Sequence, residues 1–396
     1  MSVSRIFKVS QLREWLRRVL RRGAVDSARM ITEDVFVELF VTRLEPRIVL
    51  NADFTLVGGA LGDVLNLTNF DGATTEVTVE ESVDGSDYVF RLDDGTWNGD
   101  SSPAGIDVAG DTLTVDKALV TEAIHIDDAA AGSDVDVTFD NLDFSTPTVA
   151  GSVLDVDNVE TIRVSGSIVT DSADLHLDAD RNIVLNPGSS ITTTDGDVKL
   201  IANASVTANG DGTFVITAGT TSGIFVGIDV NGAAISTSGS GSILLAGASG
   251  DDPGTADHDG VKIYGGSDIT SIQQTDGGGG ITIWGQSRDG LNSSSGVEIS
   301  GSGTTVTSYT GDIDIDGFTG GTGSFSRGVQ ISSGARIESL GTAFDAGTGD
   351  SLAATIDIHG ESTAAGFANQ GVQVESSGSL IQAINGSIRI TGVGSP

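Results

Sequence analysis

The sequence predicts an all-β protein, a right-handed parallel β-helix behind a short basic leader that is helical or disordered. Three observations carry that expectation. Val and Ile alternate with Ser, Thr and Asp through most of the chain, the period-2 pattern of half-buried strands that disordered Gly/Ser-rich chains lack. A three-strand unit recurs five times in the C-terminal half. Glycine is abundant, at 55 residues against six prolines, and it marks the ends of those strands.

Each unit opens on Gly-aliphatic-x-aliphatic: Gly227-Ile228-Asp229-Val230, Gly260-Val261-Lys262-Ile263, Gly296-Val297-Glu298-Ile299, Gly328-Val329-Gln330-Ile331 and Gly371-Val372-Gln373-Val374. Successive spacings are 33, 36, 32 and 43 residues. A second strand follows, as "AAIST", "SDITS", "TTVTS", "ARIES" and "SLIQA". A third ends at Gly247, Gly285, Gly317, Gly360 and Gly392. From each last glycine to the next unit the gap is 13, 11, 11 and 11 residues, so one loop leaves every unit at the same corner. The long unit carries an insert at 342–354.

Three short strands per unit fit a parallel β-helix, since one unit cannot bury its aliphatic face alone and stacked units can. Alternation then turns Ile281, Ile283, Ile313, Ile315, Ile356 and Ile358 inward, and Thr282, Asp314 and Asp357 outward. The glycines are expected at corners that need positive φ. A weaker match at 182–202 puts the start of the repeats near residue 160. The expected organisation is a leader at 1–52, a β-rich cap region at 53–159 and repeats at 160–396. The chain ends on "RITGVGSP" directly after a third strand. An uncapped edge is an aggregation hazard, so a continuation or a capping partner is expected there.

Charge divides the chain at the leader. Residues 1–50 hold ten Lys/Arg and six Asp/Glu, and the remainder holds ten against 49, for a net charge of -35. So acidic a body repels nucleic acid and anionic lipid. Without cysteine there is no disulfide framework and no thiolate metal site. No apolar run reaches 18 residues, so no transmembrane span is expected. Residues 6–22 have helical period, with Val9, Leu12, Leu16, Val19 and Leu20 on one face and Arg13, Arg17, Arg18, Arg21 and Arg22 opposite. That pattern suits a targeting or membrane-surface helix, and equally an ordinary short helix.

The leader closes on Leu44-Glu45-Pro46-Arg47-Ile48-Val49-Leu50-Asn51-Ala52. This resembles the LEPR-XLL motif of very large, repetitive, exported bacterial surface proteins. Leu44, Glu45, Pro46 and Arg47 match, Leu50 fits the final leucine, and Val49 stands where the family prefers leucine. The resemblance covers about a dozen residues and implies sorting to the cell surface, with processing near Ala52. Physically, Pro46 disfavours helix at Glu45, so the segment reads as extended; alternatively Ile48 and Leu50 begin the first strand. The body from about 180 onward resembles the β-helical repeats of filamentous-haemagglutinin-type adhesins in architecture and composition.

Candidate sites are few. "LDVDN" and "LDADRN" place Asp155, Asp157, Asp178 and Asp180 as candidate calcium ligands between units; no other cofactor is expected. "DIDIDG" at 312–317 starts like an EF-hand loop, but its twelfth position is Gly323, and the strand reading of Ile313 and Ile315 takes precedence. The histidines His125, His176, His258 and His359 fall at unrelated repeat positions, and His258, between Asp257 and Asp259, reads as a surface-loop residue. Lys and Arg of the body are scattered singly. No catalytic residue is assigned. The expected function is an exported cell-surface or extracellular adhesive or structural protein, contacting export machinery and then cell-surface glycans or proteins. The alternative is a carbohydrate-active β-helix enzyme, a polysaccharide lyase or hydrolase.

Overall fold

A computed structural model describes residues 51–395, apart from 59–62, 71–74, 129–134, 146–151, 210–212, 253–257, 275–276, 289–291 and 345–346. The described chain is nearly all β, with one 3-10 turn at Lys117–Leu119. Among the described residues no helix is long and apolar enough to cross a membrane.

Parallel strands stack in three columns. The third column runs from Asp63–Thr68 through Ala123–Asp127 and the first halves of Ser152–Val164 and Asp174–Leu185. It continues through Val198–Ala202, Ile243–Ala248, Ile281–Ser287, Ile313–Thr319, Ile356–Ser362 and Ile388–Val393. The first column stacks Thr75–Glu81, Val135–Phe139, the second halves of Ser152–Val164 and Asp174–Leu185, Ile228–Asn231 and Val261–Tyr264. Ser295–Ser300, Arg327–Ser332 and Gln370–Val374 complete it. The second column is an eight-stranded sheet from Leu142–Asp143 to Leu380–Ala383.

All fifteen strands expected in the five units lie in these columns. Ile281, Ile283, Ile313, Ile315, Ile356 and Ile358 are buried and in register with one another. Each such side chain contributes about 2 kcal/mol on leaving water, and a ladder of them gives one continuous core. The last tier lacks a described neighbour on its far side: Ile388 and Ile390 are 43% and 48% exposed.

Stacking begins well upstream of residue 160, a position that falls inside strand Ser152–Val164. The cause is the corner between third and first columns. In the two long strands this corner is only a bend, at Asn158 with φ 55° in the first of them, so no glycine or loop marks the period. The cap region adds antiparallel pairs: Asn51–Gly58 with Asp63–Thr68, Thr75–Glu81 with Asp87–Leu92, and Thr112–Asp116 with both Asp87–Leu92 and Ile106–Ala109.

The unit glycines are used differently from the expectation. Gly260, Gly285, Gly296, Gly317, Gly328 and Gly360 have no positive φ. They permit close approach instead: a Cβ on Gly285 would overlap the Gly296 carbonyl, one on Gly317 that of Gly328, and one on Gly360 that of Gly371. The last glycine of one unit therefore touches the first glycine of the next, and the loop between them is pinched at its base.

Candidate functional site

The largest excursion leaves that same corner. Between third-column Val198–Ala202 and first-column Ile228–Asn231 the chain forms an antiparallel hairpin, Ala204–Ala208 with Phe214–Ala218, and then a loop through 219–227. Val206 and Ile216 pack over Ile201, Leu244 and Ala246, an apolar stretch on the outer face of the third column. Hydrogen bonds through Thr221 help to tie the loop down. Thr221 Oγ1 donates to Asp180 O at 2.6 Å, Thr221 N to Asn203 Oδ1 at 3.1 Å, and Arg288 to Thr221 O at 2.9 Å.

The excursion walls two depressions. Phe214, Val215 and Ile216 overhang a groove of about 760 Å³ whose floor is the outer face of the third column. Thr282, Asp314, Asp357 and Arg389 form one row of that floor, and Trp284, Asp316, His359 and Thr391 the next. Trp284, Phe318 and His359 run as an aromatic series, with centroids 6.0 and 5.6 Å apart. Burial, reinforced by Asp312 and Asp357, pushes the Asp314 carboxyl up to about 6. Asp316, raised by burial, lies 3.5 Å from His359. These carboxylates belong to a strand, as the inward Ile313 and Ile315 require.

Beyond the corner, Phe225 and Val226 wall a smaller cleft of about 380 Å³ on the outer face of the first column. Here the fold gathers bases that are scattered in sequence. Arg163 donates to Asp136 at 2.7 Å and Arg181 to Glu160 at 2.7 Å, and the Arg181 guanidinium lies 5.3 Å from the Phe225 ring centre. Asp229 closes the far end.

Three of the four histidines share the outer face of the third column, contrary to their apparent scatter. Asp155 stands in register between His125 and His176. His176 Nδ1 is 2.8 Å from Asp155 Oδ1, and His125 Nε2 3.9 Å from Oδ2. The hydrogen bond to His176 lowers the Asp155 carboxyl and in return raises the imidazole. Burial raises Asp157 and Asp180, and pushes Asp178 up to about 7 against the pull of His176. All four candidate calcium ligands therefore lie on adjoining strands, and Asp155, Asp157 and His176 bring ligand atoms within 4.8 Å of one another. Calcium takes about six to eight oxygens. Here one donor of three is a nitrogen, so the set is short of calcium's preference. The missed signal was the spacing of 21 residues from Asp155 to His176, one tier without a loop.

His258 is buried rather than on the surface, because its loop folds against the next tier, where Ser294 Oγ accepts from the His258 amide at 3.2 Å. Its neighbour Asp259, fully buried, accepts from the Ser295 amide at 2.7 Å and pairs with Lys262 at 3.0 Å. Lys262 also reaches Glu298 at 3.2 Å. Burial and the Glu298 charge raise the Asp259 carboxyl. Asp257 lies outside the described residues.

Of the expected sorting segment, Leu44, Glu45, Pro46, Arg47 and Leu50 lie outside the described residues, as does the leader helix expected over 6–22. Ala52 lies in strand Asn51–Gly58, 1% exposed and aligned with Trp97. No known protein family, curated protein or solved structure matches the chain.

Proposed function

We propose that the chain is an exported cell-surface or extracellular protein with a structural and adhesive role. Its body on this reading is a right-handed parallel β-helix, a rod that presents corner loops to cells, glycans or matrix. The observation that carries the reading is the stacking of three parallel columns, in register through the five units, with every long loop between third and first columns set at one corner. Such stacking gives a rigid scaffold whose loops between third and first columns face one way, while the insert at 342–354 lies between Arg336–Ser339 and Ile356–Ser362. The LEPR-like segment and the acidic body support export and solubility outside the cell.

Protease shaving of intact source cells, with the body followed by mass spectrometry, tests the location. Loss of the full-length chain from intact cells is expected, and complete protection until lysis would overturn export. Processing has a sharper expectation. Ala52 is buried in a ladder, and a protease needs an accessible extended segment, so cleavage of the folded chain should fall N-terminal to Asn51.

A carbohydrate-active enzyme is the second reading. It is favoured by Asp314 and Asp357, carboxylates on adjacent strands facing one groove, with the first held protonated up to about 6. Such a pair suits general acid–base work on a glycosidic bond. Turnover of an oligosaccharide, lost in both Asp314→Asn and Asp357→Asn, would establish it. Turnover that survives both changes would remove it.

A further inference from the structure

The rod reading leaves the histidine cluster on the outer face of the third column unused. Leu154 and Val156 point into the core, so Asp155 and Asp157 stand two residues apart on the outer face of one strand. His176 faces Asp155 from the next strand and His125 from the one before. A pair at i and i+2 on one strand, with a third residue in register on its neighbour, brings three side chains together from the corners of a triangle. The ligand atoms of Asp155, Asp157 and His176 lie within 4.8 Å of one another, and no other such group is found among the described residues. Solvent reaches them: the Asp155, His176 and His125 side chains are 27%, 29% and 41% exposed, and Asp157 is half-buried. Charge on the patch is unbalanced as well. Asp157 lies directly opposite Asp127 in the ladder, and like charges so placed repel.

We propose that Asp155, Asp157 and His176 form a zinc site, with His125 orienting Asp155 from the far side. Zinc takes histidine nitrogen and aspartate oxygen at about 2.0–2.2 Å, and it can hold three protein ligands beside a fourth, open position. Tetrahedral ligand atoms at those lengths stand about 3.3 Å apart. The 2.8 Å from His176 Nδ1 to Asp155 Oδ1 and the 4.8 Å limit of the set bracket that separation. Side-chain rotation closes the difference, and the strands need not move. The His176–Asp155 hydrogen bond marks where the ion enters: Nδ1 gives its proton to solvent, the ring keeps one on Nε2, and both former partners turn to the metal. His125 Nε2, 3.9 Å from Asp155 Oδ2, is placed to hold the second oxygen of that carboxylate, as outer-shell partners do. The imidazole selects the metal. Calcium and magnesium take oxygen, whereas imidazole suits zinc and its transition-metal neighbours. A bound ion joins strands Ser152–Val164 and Asp174–Leu185 and offsets the crowded negative charge.

The test is calorimetric titration of the full chain with zinc chloride after chelator treatment, with thermal denaturation alongside and calcium chloride as the comparison. One zinc ion per chain is expected to bind in the presence of excess calcium. It should raise the melting temperature, because an ion that binds the folded chain stabilises it. His176→Gln and Asp157→Asn each remove a ligand on the outer face and are expected to abolish that rise while the metal-free transition stays in place. Should His176→Gln fail to fold, Asp157→Asn decides. His125→Gln, an outer-shell change, should weaken zinc about tenfold, and His359→Gln, on the same sheet face, should leave binding unchanged. No zinc binding, several weak sites displaced by calcium, a preference for calcium, or zinc binding that survives the ligand substitutions overturns the site. The site stands apart from the export reading, which shaving decides.

Discussion

The cap region and the repeats bury the same kind of ladder in different ways. In the cap region, large rings fill the interior: Phe54, Phe90 and Phe139 are fully buried, Trp97 stands edge-on to Phe70 and Phe90, and Tyr88 packs on Phe144. The Trp97 indole N–H donates to Phe90 O and Asp111 O at 3.2 and 3.0 Å. In the repeats the inward rows are Ile and Val, and two glycine backbones touch at each corner. The contrast is one of boundary conditions. A tier with neighbours above and below has a fixed cross-section, which one aliphatic per inward position fills. At the N-terminal end of the described stack, antiparallel hairpins and aromatic rings fill the corresponding volume.

The largest expected effect tests the aromatic half of that contrast. Phe90→Ala should cost about 3–5 kcal/mol in equilibrium denaturation, the usual range for a fully buried ring; a loss below about 1 kcal/mol would mean that the cap does not close on it. Gly317→Ala tests the other half. Its Cβ overlaps the Gly328 backbone, and overpacking costs about 1–3 kcal/mol, so Gly317→Ala should lower the melting temperature although alanine is otherwise well tolerated. An unchanged transition would refute the pinched corner.

The smallest expected effect concerns charge at a loop base. Buried Asp259 faces Glu298, Lys262 and the Ser295 amide, and its carboxyl is raised. Folded chains then hold a proton that unfolded chains release near pH 4, so stability falls as pH climbs above the ordinary carboxylate range. Glu298, lowered mainly by Lys262 against its own burial, acts with the opposite sign only below that range. Asp157, Asp178, Asp229, Asp314 and Asp316 are all raised and push the same way. The protein should therefore melt higher at pH 5 than at pH 8, and Asp259→Asn should flatten part of that slope. A higher melting temperature at pH 8 would contradict it.

The five repeats were legible because each strand there is punctuated by glycine and each long loop has nearly one length. Alternation then placed Ile313 and Ile315 inward without further information. The early tiers were not legible, because a bend at Asn158 replaces the loop and the period contracts to the 21 residues separating Asp155 from His176. Candidate sites depended on that hidden period. Asp155, Asp157, Asp178 and Asp180 were visible as acidic pairs, but His125 and His176 became their neighbours only once the tiers were stacked. Arg163 and Arg181 likewise converge across one tier. Positive φ holds at turn glycines such as Gly265, Gly301 and Gly334, but not at the glycines that bound the units, since sequence does not distinguish a left-handed turn from two backbones in contact.

One corner of this fold is a neutral place for change. Between third and first columns the chain turns by a bend within Ser152–Val164, by loops of about a dozen residues, or by an excursion over 203–227 that includes a hairpin. The strands on either side stay aligned in every case, as Leu185 with Val230 and Ala202 with Gly247 show across the longest one. Glycine contacts close the base of the loops at Gly285–Gly296, Gly317–Gly328 and Gly360–Gly371, whereas the 203–227 excursion rests on the column through Val206 and Ile216. Loops closed by such a glycine pair can therefore diversify, lengthen or be exchanged without renegotiating the scaffold, and a foreign peptide set between Gly317 and Gly328 would be displayed on the same terms.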